Sequence, residues 1–211
     1  MRIDIVSDVV CPWCIIGYLQ LARALADRKL EAEIHWHPFQ LNPHMPEEGQ
    51  NLREHLAAKY GTTPEASAEN RERLTRMGAE LGFTFAYADD MRTWNTFKAH
   101  QLLHWAATLG RQHELQMALF AACFTRRENV GDPVVLAEIA AGIGLDRADA
   151  LAVLEDGRHA DAVRQAMRFW VEQGIQGVPA IVFERRHLVS GAQGVERFGA
   201  ILDQLGAAAP A

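Results

Sequence analysis

Cysteine is scarce in this chain: three residues in 211, at positions 11, 14 and 123. A secreted fold stapled by disulfides would carry more, and usually an even number. Lysine and arginine never gather into a run, and the net charge is −6; neither nucleic acid nor an anionic membrane surface fits as a partner. No apolar stretch approaches the roughly 20 residues of a membrane-spanning helix. The opening segment Arg2-Ile3-Asp4-Ile5-Val6 contains an acid and is too short for the apolar core of a signal peptide, so the expected location is the cytoplasm. The balance of 49% hydrophobic and 23% charged residues suffices for a packed core and argues against disorder. The length suits one large domain or a small domain carrying an insertion.

Local patterns then assign the elements. Arg2 to Val6 alternates polar and apolar side chains and is rich in β-branched residues, which predicts a strand. Pro12 suits the first turn of a helix, where its missing N–H costs nothing, and apolar residues from Ile15 to Leu25 recur at helical spacing. Glu31 to Phe39 alternates again. Strand, helix and strand within about forty residues predict a βαβ unit with parallel strands and a right-handed crossover. From residue 52 to 173 only helices are expected: 52–60, 64–81, 95–109, 113–126, one opened by the Asp132-Pro133 cap and ending near Gly142, one capped by Asp146, and 161–173 closed by Gly174. Strand character returns over 178–183 and 187–190, with a last helix over 195–205 and a frayed Ala-Pro tail. The fold class is therefore α/β. Residues 1–41 and 175–211 form a discontinuous sheet domain, and residues 42–174 an inserted all-helical domain.

The chemistry centres on Cys11-Pro12-Trp13-Cys14, between the end of a strand and the start of a helix. The nucleophile of a cysteine is the thiolate, and the unpaired N–H groups and positive dipole end of a helix N-terminus favour it. Cys14 follows one turn later, close enough to form a disulfide with Cys11. Cys11 is expected to attack a substrate disulfide and Cys14 to resolve the mixed disulfide. Two inert core cysteines are one alternative. A zinc site drawing on His35 and His37 is another, but the spacing matches no common finger; no metal is expected. Trp13 and Trp36 read either as an apolar lip for substrate or, more simply, as buried residues. Cys123 reads as a buried, inert cysteine without a visible partner. Residues alone leave Pro179 as either a trans edge-strand proline or a cis one.

Asp8-Val9-Val10-Cys11-Pro12-Trp13-Cys14, Asn95-Thr96 with Ala99-His100, Gly177-Val178-Pro179 and Ser190-Gly191-Ala192-Gln193 together resemble the DsbA-like thioredoxin superfamily, in its FrnE-type cytoplasmic branch. The resemblance covers essentially the whole chain. It implies a thioredoxin fold with a helical insertion and a cis proline, Pro179, opposite the cysteines, with Val178 presenting its backbone to an extended substrate. It also makes plausible that His100 faces the cleft between the domains. Asn95 reads chiefly as a helix cap. Gly191, Ala192 and Gln193 precede the last helix, whose N-terminus either holds a carboxylate such as the γ-glutamyl end of glutathione or is a plain turn.

The implied activity is thiol–disulfide oxidoreduction, extending to disulfide isomerisation, on protein, peptide or small-molecule disulfides. It would be coupled to thioredoxin or glutathione and would use no bound cofactor. Related 2-hydroxychromene-2-carboxylate isomerases and kappa-class glutathione transferases offer a second class, but they usually carry serine where Cys11 stands and lack the second cysteine. A binding module without turnover is a third. Periplasmic relatives carry histidine inside the pair, whereas Trp13 brings no positive charge. The expected potential therefore lies between the DsbA and thioredoxin values, roughly −120 to −270 mV.

Overall fold

The structure, a computed structural model, describes residues 1–208. Strand β1 (Arg2–Ser7) is the most buried strand of the first half, and helix α1 (Pro12–Asp27) returns the chain to a parallel neighbour, β2 (Glu33–Pro38). β1 and β2 pair in register from Arg2 opposite Glu33 to Ser7 opposite Pro38. On its other side β1 takes β5 (Ala180–Phe183) antiparallel, and β5 pairs with β6 (His187–Ser190). The sheet order β2-β1-β5-β6 thus joins the first forty residues to the last thirty. Helix α9 (Val195–Ala208) packs beside α1. The expected fraying of the tail falls partly on residues 209–211, outside the described residues.

Between the two halves lie α2 (Leu52–Tyr60), α3 (Pro64–Glu80), α4 (Phe97–Thr108), α5 (Gln112–Ala121), α6 (Pro133–Gly142), α7 (Arg147–Asp156) and α8 (Ala160–Glu172). Their caps are those the sequence signals: Asp132 accepts from the N–H groups of Val134 and Val135, and Asp146 from that of Asp149. A single apolar cluster runs from Ile3, Ile5 and Phe183 of the sheet through Ile15 of α1 to Leu102, Leu115 and Phe120 of the helices. Sheet and helices therefore share one core.

Three expectations are corrected. The block 52–173 is not purely helical: β4 (Arg92–Thr93) lies within it and pairs with β3 (Gln50–Asn51) just before it, a ladder too short to leave a period in the sequence. The helix expected over 113–126 stops at Ala121 and continues as a π-helical turn, Ala122–Arg126, ended by Arg127 at φ +58°. Pro179 precedes β5 rather than lying within it, since the strand begins at Ala180, yet its carbonyl still accepts from the Gly191 N–H at 2.7 Å.

Candidate active site

β1 ends at Ser7, and a tight turn closed by the Cys11 N–H on the Asp8 carbonyl (3.0 Å) delivers Cys11 to the start of α1. Cys11 is the cap residue, in extended conformation, and Pro12 begins the helix. The Cys14 N–H reaches back to the Cys11 carbonyl at 3.1 Å. Both cysteines are free, buried thiols one helical turn apart. The Cys11 thiol also donates to the carbonyl of Val178 at 3.7 Å, and the Val178–Pro179 peptide is cis. α1 approaches this turn closely because residue 17 is glycine: a Cβ there would lie 3.1 Å from the Pro179 ring and 3.5 Å from Ala192 Cα.

The electrostatics depart from the sequence expectation. Burial pushes the Cys11 thiol well above its ordinary value of 9.0, and hydrogen bonding and charge repulsion from Cys14 add to the rise. The Cys14 backbone N–H works in the opposite direction, as a helix N-terminus should, but is outweighed. The nearby Asp8 carboxylate disfavours the thiolate further. Asp8 is fully buried. Its Oδ2 accepts from the Leu41 N–H at 2.7 Å, and its Oδ1 lies 3.3 Å from His100 Nε2, so it ties the active-site turn to the chain after β2.

Cys11 opens onto a cleft of about 400 Å³ between the start of α1 and helices α2 and α3. Val10, Leu52, Leu56, Leu74, Met91 and Phe124 make its apolar walls. Trp13 stands at its edge under the guanidinium of Arg73, 4.8 Å from the ring centre. Cys123 lines the same cleft from the π-helical turn; its thiol is buried and pushed far up by that burial. Tyr87 and Ser67 also line it, and the hydroxyl oxygens of both are buried without a hydrogen-bond partner among the described residues.

The structure thus brings together Cys11, Cys14, Pro12, Trp13, Val178 and Pro179. The other candidates lie elsewhere. His100 is not at the Cys11 cleft: it is buried, its Nε2 donates to the Phe39 carbonyl at 3.0 Å, and it lines a separate cavity between β2 and helices α4 and α5. Asn95 lines a separate polar cavity with Gln40 and Lys98. It is not the cap residue of α4, which is Thr96, although its Oδ1 accepts from the Phe97 N–H; its Nδ2 holds the Met45 carbonyl. Gly191, Ala192 and Gln193 do not line this cleft; Ala192 lies against Gly17 of α1, and the Gly194 N–H before the last helix donates to Gln20 Oε1 at 2.8 Å.

His35 and His37 join no metal set: among the described residues no group of three or more histidine, cysteine or acidic side chains could hold an ion. Trp36 is core, donating its indole N–H to His113 Nδ1 at 3.1 Å. Sequence reasoning missed Tyr87, Ser67 and the placement of Cys123, because no local spacing links them to Cys11.

Compared with known proteins, residues 2–203 match the model of the DSBA-like thioredoxin domain. A probable DsbA oxidoreductase from Streptomyces coelicolor shares 34% identity, covers 100% of this chain and 92% of its own, and superposes with a TM-score of 0.92. Two more distant structures share the fold. One is a 2-hydroxychromene-2-carboxylate isomerase (13% identity, 98% and 95% coverage, TM-score 0.71). The other is the cytosolic disulfide reductase DsbM of Pseudomonas aeruginosa, with GSH (18% identity, 98% and 100% coverage, TM-score 0.66). No helix among the described residues is long and apolar enough to cross a membrane.

Proposed function

Because this chain belongs to the DSBA-like thioredoxin domain family, we propose that it is a thiol–disulfide oxidoreductase with Cys11 as nucleophile and Cys14 as resolving cysteine. The observation that carries the reading is the pair itself: two free thiols one turn apart at the head of α1, the first opening onto a cleft beside the Val178 carbonyl.

The Cys11 thiol gives up its proton and the thiolate attacks one sulfur of a substrate disulfide. A bond forms between Cys11 and that sulfur, and the other substrate sulfur leaves as a thiolate and is protonated by solvent. The Cys14 thiol then loses its proton and attacks the Cys11 sulfur. The Cys11–Cys14 disulfide forms, the second substrate thiol is released, and two electrons have passed to substrate. Run backwards, the same steps oxidise a dithiol. The Val178 carbonyl, which accepts from the Cys11 thiol here, would accept instead from the N–H of an extended substrate. Only the two sulfurs carry electrons, so no metal or bound cofactor enters the proposal.

Glutathione or thioredoxin would restore the dithiol in the cytoplasm; the likeness in fold to a cytosolic reductase with GSH supports the first. The test is a redox titration of the pair combined with a Cys14→Ser variant. Mixed disulfides should accumulate on that variant and disappear in Cys11→Ser. Unchanged disulfide turnover by Cys11→Ser would refute the assignment.

A further inference from the structure

The cleft beyond Cys11 holds more chemistry than thiol exchange requires. We infer that it binds a low-molecular-weight disulfide whose apolar arm packs between α2 and α3 and whose carboxylate is met by the hydroxyls of Tyr87 and Ser67 beside Arg71. The inference rests on the dithiol reading for its chemistry and on independent residues for its specificity.

Two buried hydroxyls without partners are the first observation. A serine in the first turns of a helix ordinarily bonds a backbone group nearby, but Ser67 of α3, 6% exposed, leaves its Oγ without one. Tyr87 is held by a parallel stack on Phe85 (centroids 5.4 Å, 3° between planes), and its hydroxyl is likewise unsatisfied. Buried polar groups are almost always hydrogen-bonded, and both of these line the cleft that contains Cys11. Burial raises the Tyr87 hydroxyl well above its ordinary value, so it stays protonated and acts as a donor.

Charge is the second observation. Arg71 and Arg92 line the cleft, and no acidic side chain does. Arg71 shares a single exposed carboxylate, Asp89, with Arg53 (3.4 and 2.8 Å), which leaves one positive charge uncompensated. Arg92 donates to the Glu48 and Gly49 carbonyls rather than to an acid. Two hydroxyl donors and an excess of positive charge select an anionic oxygen acceptor. The volume of about 400 Å³ and the leucine, methionine and phenylalanine walls suit a small apolar molecule rather than a folded protein surface.

The probe is 5,5′-dithiobis(2-nitrobenzoate), an aromatic disulfide with carboxylates, set against uncharged 4,4′-dithiodipyridine. One equivalent of reduced protein should convert one probe disulfide to two thiols as Cys11 and Cys14 are oxidised, with a rate that saturates in probe. Tyr87→Phe, Ser67→Ala and Arg71→Gln should each raise half-saturation by about tenfold and leave the limiting rate in place, with a change below about twofold for the uncharged disulfide. A second readout needs no electron transfer: binding of 5-methylthio-2-nitrobenzoate to Cys11→Ser, followed by tryptophan emission from the cleft residue Trp13, should weaken in the same three changes.

A rate linear in probe with no binding of the thioether would overturn the pocket and leave the dithiol chemistry standing. Binding without electron transfer would overturn the dithiol reading instead. Equal losses with both disulfides would assign Tyr87 to holding Cys11, against the inference.

Discussion

At the scale of the residue, Cys11 shows how two opposed effects are decided by magnitude. The helix N-terminus favours the thiolate, but burial to 3% exposure and the neighbouring Cys14 oppose it more strongly. The alkylation rate of Cys11 by iodoacetamide is therefore expected to keep climbing as pH passes 9.0, rather than level off near neutrality as for a low-pKa thiol. Mass spectrometry of the labelled peptide across pH checks this. A disfavoured thiolate predicts a potential toward the reducing end of the expected window, which a redox titration of the pair checks. Trp13→His would set a cationic ring beside the pair. If it stabilises the thiolate by one pKa unit, about 1.4 kcal/mol, the potential should rise by about 30 mV in a redox titration.

At the scale of the element, α1 is positioned by what it lacks. Gly17 allows the helix to lie against Pro179 and Ala192, which brings Cys11 to the Val178 carbonyl. Gly17→Val should cost about 1–3 kcal/mol through overpacking and lower activity together with stability, measured by urea unfolding and disulfide turnover. Asp132 satisfies two N–H groups at the head of α6 (2.7 and 3.3 Å). Its replacement by alanine should cost about 1 kcal/mol without altering the redox potential. The π-helical turn at Ala122–Arg126 stands apart from this local logic. Five residues of ordinary helical composition take a wider turn, and that turn carries Cys123 at the cleft wall.

At the scale of the whole molecule, pH acts on stability from both sides. Burial lowers the pKa of His37, His55, His104, His113 and His159 below their ordinary 6.5. The unfolded chain then binds more protons than the folded one, so this stabilisation is present above pH 6.5 and is lost as pH falls through the folded values. Burial works against the Asp4 carboxylate, yet hydrogen bonds from Arg2 and His37 outweigh it and hold it below 3.8; its contribution disappears at still lower pH. The raised Cys11 thiol acts in the opposite sense, and its share is lost as pH rises beyond 9.0 in the reduced protein. Urea midpoints of the reduced form should therefore peak between about pH 7 and 9 and decline on either side.

The sequence by itself determined the parts that depend on neighbours along the chain. The alternation of Arg2–Val6, Pro12 at a helix start, the Asp132 and Asp146 caps, and two sulfurs one turn apart all follow from spacings of two to four residues. Only the tertiary structure decided what depends on burial and on distant segments. It turned the Cys11 thiol from favoured to disfavoured as an anion, placed His100 away from the Cys11 cleft, and tied the Gly194 N–H to Gln20. It also set Tyr87, Ser67 and Cys123 around one cavity with Cys11. Desolvation and hydrogen-bond pairing are properties of what surrounds a group in space, and for these residues much of the surroundings is supplied by segments about 50 to 175 residues away in the chain.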